Sequence, residues 1–60
     1  MTYSQAYLRA VTLANHRQIN YAVVKAKPNE LAKGFYAEDE STAPPEQVVA
    51  VIAPDGAETC

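Results

Sequence analysis

Sixty residues carrying a formal net charge of −2, with one cysteine (Cys60) and one histidine (His16), make at most one small domain. A chain this short buries only about 60% of the surface its unfolded form exposes, so a deep catalytic cleft is excluded. An intramolecular disulfide and a four-ligand zinc site are excluded by count alone.

The net charge conceals two halves of opposite sign. Arg9, Arg17, Lys25, Lys27 and Lys33 all fall in residues 1–33, which sum to +4 against the single Glu30. Glu38, Asp39, Glu40, Glu46, Asp55 and Glu58 follow, and residues 34–60 sum to −6. Such polarity favours charge-guided association over catalysis. Ala and Val supply most of the apolar residues and there is no Trp, so the core must be light. Self-association is the expected supplement, as a homodimer or higher oligomer. The longest uncharged apolar run, Val48 to Ala53, is far too short to cross a bilayer, and a lone thiol agrees with a reducing compartment. A cytoplasmic location and no membrane partner are expected.

Thr2 and Gln5 stand three apart in the form of a capping box and predict a helix start. Tyr3, Tyr7, Ala10 and Ala14, with Ala6 and Leu13 beside them and Leu8 and Val11 widening the band, form one apolar stripe at helical period. Ser4, Gln5, Arg9, Thr12 and Asn15 take the wet face. Asn15, His16 and Arg17 supply the stop, because Asn tolerates the left-handed conformation and cations suit the helix C-terminus.

From Ile19 the pattern alternates and is rich in β-branched and aromatic residues, predicting a strand over about 19–26. Pro28-Asn29 ends it, and residues 28–32 form a connection with room for one helical turn through Glu30-Leu31-Ala32. Gly34 to Ala37 reads as a second strand, paired antiparallel with the first. Residues 38–46, acidic and then Pro-rich, form a loop. Gln47 to Ala53 reads as a third strand, buried on both faces. Pro54-Asp55-Gly56 makes a turn, and residues 57–60 a mobile tail.

The expected fold is therefore α+β over residues 1–56, one N-terminal helix packed on a small three-stranded antiparallel sheet (α-β-β-β) in two layers. Two strand orders remain open. A meander needs only short connections, whereas the loop at 38–46 is long enough to carry strand three past strand two to pair with strand one.

Catalytic chemistry finds no support. A nucleophile needs a base and usually a group that orients it, and His16 is the only imidazole, placed where a cation at a helix end is the simpler role. Ser4, Ser41 and Thr42 lack a nucleophile-elbow context, since Gly34 and Gly56 are the only glycines. No glycine-rich phosphate loop occurs, and no cofactor is expected. Glu38-Asp39-Glu40 are consecutive, not alternate as a calcium loop requires. They fit a solvated strand exit or an acidic patch for a basic partner, and no metal site is assigned. Arg9, Arg17, Lys25, Lys27 and Lys33, interleaved with Tyr7, Tyr21 and Tyr36, invite a nucleic-acid alternative in which cations meet phosphates and rings stack on bases. The net negative charge argues against it.

In size and composition, with no catalytic set and polarised charge, the chain is similar to small bacterial or phage-borne accessory proteins that bind a larger protein. The likeness is one of size, not of motif. The expected function is that of a non-enzymatic protein-binding module, a regulator or inhibitor. Its contact residues would be Glu38, Asp39 and Glu40 in the acidic loop and Val49 and Val51 on an exposed sheet edge. The alternatives are a small nucleic-acid-binding protein and a structural subunit of an oligomer.

Overall fold

The computed structural model describes residues 1–27 and 34–59. The connection expected at 28–32, together with Lys33 and Cys60, lies outside the described residues. Helix α1 spans Tyr3–Arg17. Its start is the capping box: the Gln5 N–H donates to Thr2 Oγ1 at 3.2 Å and the Thr2 N–H to Gln5 Oε1 at 3.0 Å, so two donors that a first turn leaves unpaired are satisfied reciprocally. The stop comes later than Asn15. Asn15, His16 and Arg17 are helical, and Gln18 takes the left-handed conformation (φ 58°, ψ 40°). The Gln18 side chain donates to the Asn15 carbonyl at 2.6 Å, while its backbone N–H and that of Ile19 both reach the Ala14 carbonyl. These bonds satisfy the end of the helix where no glycine is present.

The helix buries an alanine ridge. Ala6, Ala10 and Ala14 are fully buried, Tyr7, Val11 and Leu13 flank them half-buried, and Leu8 is 67% exposed. Small side chains let the helix axis approach the sheet closely, which leaves the larger residues at the margins of the contact. The expected stripe is therefore narrower than the sequence suggests. Leu8 lies outside it, and Tyr3, 40% exposed, packs edge-on against Phe35 with ring centroids 5.3 Å apart.

Among the described residues four strands form one antiparallel sheet in the order β2-β1-β3-β4, namely β1 (Tyr21–Lys25), β2 (Phe35–Asp39), β3 (Val48–Ile52) and β4 (Glu58–Thr59). The fold is α+β, a helix on an antiparallel sheet, with a fourth strand beyond the three expected. The connection after β2 does carry β3 past it to pair with β1. Glu38 and Asp39, expected in the loop, belong to β2. Residues 58–59, expected in a tail, form β4. The Asp55 carboxylate accepts the Ala57 N–H at 3.0 Å, and Gly56 adopts φ 91°, so this turn returns the chain along β3, where Ala53 N–H donates to the Ala57 carbonyl.

Side chains alternate between the two faces. Tyr21, Val23, Ala50 and Ile52 face the helix and close the main core with the alanine ridge. Ala22 and Val24 face the other way, where Ala43 of the β2–β3 connection covers them with Tyr36 and Val48 half-buried beside it. The strand buried on both faces is thus β1, whose first four residues are all buried, and not β3 as expected. In β3 only Ala50 and Ile52 are buried, and Val49 is 40% exposed. Central position and the crossing connection, not the longest apolar run, decide double burial. Among the described residues no helix is long and apolar enough to cross a membrane.

Candidate functional site

The β2–β3 connection leaves β2 through a tight turn that Asp39 organises. Its carboxylate Oδ1 accepts both the Ser41 N–H (2.9 Å) and the Ser41 hydroxyl (2.8 Å), and its carbonyl accepts the N–H groups of Thr42 and Ala43. The Ser41 N–H, then its hydroxyl, and more weakly the charge of Arg17 hold the Asp39 carboxyl below its ordinary value. Glu40 is fixed beside it, its backbone N–H on the Asn20 carbonyl and its carboxylate on the Asn20 side-chain amide at 3.2 Å. Downstream, the 3-10 turn Pro45–Gln47 is tied down where Gln47 Nε2 donates to the Lys25 carbonyl at 3.0 Å.

Between this connection and the end of β3 lies an open groove of about 950 Å³. Its rim carries Asp39, Glu40, Gln18 and Asn20, and its apolar wall is Ile19, Ala43, Pro45, Val48, Val51 and Pro54. Apolar area for contact with a few placed polar groups is the ordinary make-up of a recognition site. Among the described residues no Lys or Arg lines it.

Of the expected contact residues, Asp39, Glu40 and Val51 come together here. Glu38 is half-buried on β2, opposite Ala22, on the same sheet face. Val49 does not join them. The pairing of β1 with β3 shifts between Val23 and Val24, matching Ala50 and then Val48, so Val49 is the extra residue of a bulge. It lines a second hollow, of about 540 Å³, with Lys25, Lys27 and Glu46 at the opposite end of the sheet. Gln18, Ile19, Asn20 and Pro54 escaped the sequence reading, because nothing local to them announces a groove that four separate segments assemble.

The expected basic set is dispersed. Arg17 stacks over Tyr21 at 5.9 Å on the helix side, Lys25 ends β1 with Lys27 just beyond it, and Arg9 sits on the exposed helix surface. Tyr21 is only 4% exposed and is closed to a base, while the Tyr7 hydroxyl donates to Glu58 at 3.1 Å, a bond that raises the Tyr7 pKa. His16 is exposed on the last helical turn. Among the described residues no group of three or more His, Cys, Asp or Glu could hold a metal ion.

Comparison with family models, with curated proteins and with solved structures gives no match to this chain.

Proposed function

We propose that this chain is a non-enzymatic protein-binding module, a cytoplasmic accessory regulator or inhibitor of a larger bacterial or phage-related protein that also self-associates. The observation that carries the reading is the groove in which Asp39 and Glu40 border an apolar wall containing Val51. Carboxylates at a solvated rim steer a basic partner and select it, and the apolar wall supplies the contact that slows dissociation. The nucleic-acid alternative has less to support it, since Arg17 of the helix stacks on Tyr21 at one end of β1 while Lys25 stands at the other end and phosphate binding draws on clustered cations.

The test is capture of lysate proteins on the immobilised wild type, repeated with Val51→Lys and with Glu40→Gln. Circular dichroism confirms that each variant is folded. A partner held specifically should be lost at least about tenfold with Val51→Lys, because an apolar contact becomes a desolvated charge. Glu40→Gln should mainly slow association and flatten its salt dependence. Equal capture by all three proteins would exclude this groove as the binding surface.

A further inference from the structure

The strand register separates charge along the sheet. At the Tyr21 end β1 pairs with Asp39 and Ile52, next to Glu40 and the Pro54-Asp55 turn. At the Lys25 end it pairs with Phe35, near Lys27 and the exposed Val49. Four strand steps, roughly 13 Å, divide the two ends, which exceeds the screening length of about 8 Å at physiological salt. A partner therefore meets two separate fields. Arg17 approaches Asp39 from the helix side but does not line the groove, and Glu46 offsets one of the two lysines at the other end. Among the described residues the groove thus remains acidic and the opposite end basic. That basic end presents cations beside an exposed aliphatic side chain, which is the chemistry an acidic groove with an apolar wall would take.

We propose that a second copy of this chain occupies the groove, the Lys25, Lys27 and Val49 end of one protomer seating against Asp39, Glu40 and Val51 of its partner. The inference rests on the protein-binding reading and names one occupant of that surface. Two such contacts related by a two-fold axis would let each protomer give its basic end and receive the other's. That arrangement closes the assembly, whereas a head-to-tail contact would leave one groove and one basic end unfilled and would grow without limit. Burial of Val49 and Val51 at these two contacts also adds the apolar contact that so small a core lacks.

Reversal of charge at two exposed positions tests it. Sedimentation equilibrium in about 0.15 M salt is run on the wild type, Glu40→Lys, Lys27→Glu and the double variant, with circular dichroism to confirm folding. The wild type should form a saturable dimer. Each single variant should dissociate at least about tenfold more readily, because like charges are then opposed twice per dimer, and the double variant should recover to within about threefold of wild type. A wild type that stays monomeric to about 0.5 mM, growth beyond the dimer, or a double variant no better than the singles would overturn the pairing. Lysate capture separates this outcome from failure of the wider reading. A monomeric protein whose capture still depends on Val51 binds another protein and not itself, while a rescuable dimer with Val51-independent capture confines the groove to self-association.

Discussion

Asp39 shows how one side chain can serve structure in addition to the recognition role the sequence suggests. Glu38, Asp39 and Glu40 look equivalent as three consecutive acids, yet only Asp39 is committed to closing the turn through Ser41. Because its folded pKa lies below the ordinary value of 3.8, its contribution to stability is present in full above that value and is lost as pH falls through the folded pKa. Thermal midpoints measured from about pH 6 to pH 2 should fall less steeply for Asp39→Asn than for the wild type, and the variant should be the less stable of the two at neutral pH. Identical pH profiles would contradict the role. Gly34 makes a second residue-scale case. At φ 81° it also lies against Met1, whose carbonyl accepts the Phe35 N–H at 2.9 Å, and a Cβ there would collide with that oxygen. Gly56, at φ 91°, faces open space. Gly34→Ala should cost roughly 1–3 kcal/mol in chemical denaturation, and more than Gly56→Ala, where only the backbone preference is lost.

Among the elements, α1 was the most legible. Its capping box, its period and the cations of its last turn all appear in the sequence because helix signals act within four residues. The width of its buried face does not, since that depends on how near the sheet lies. Ala6, Ala10 and Ala14 set the spacing, so Ala10→Leu should force the layers apart and cost about 1–3 kcal/mol. Leu8→Ala should change stability by less than about 0.5 kcal/mol, because that side chain already meets solvent. Equilibrium urea unfolding of both variants measures the contrast, and a larger loss at Leu8 would mean that the helix face is misassigned. β4 was missed for the opposite reason. Two residues, Glu58 and Thr59, offer no periodicity to read. Their pairing comes from the Asp55 and Gly56 turn, from the β3 edge and from the Tyr7 hydroxyl on Glu58.

At the scale of the whole molecule, a core built, among the described residues, from alanines, two valines, Tyr21 and Ile52 leaves little margin. Ile52 is among the largest fully buried side chains, and it joins β3 to the helix face. Ile52→Ala should cost roughly 2–5 kcal/mol, against a total of about 3–5 kcal/mol for a core of this size. The variant should therefore be substantially unfolded at 25 °C by circular dichroism, whereas a cooperative transition near the wild-type midpoint would show that other residues hold the layers together. The charge asymmetry of the chain is also a whole-molecule property. Antiparallel strands could have interleaved the two halves and cancelled it, but the register places Asp39 and Glu40 at one end of β1 and Lys25 and Lys27 at the other.

By itself the sequence determined the class of the fold, the helix and its cap, the approximate place of three strands, and, by count, that one cysteine and one histidine cannot make a Cys/His zinc site. Each of these follows from local spacing, composition or counting. Tertiary structure alone decided that β1 would be central and doubly buried, that Val49 would part company with Val51, and that Ile19, Asn20 and Pro54 would meet the acidic turn. Such outcomes depend on strand order, on a one-residue bulge and on the path of the β2–β3 connection across the sheet. All three are settled by the burial of distant residues against one another, a free-energy balance that no short stretch of sequence contains.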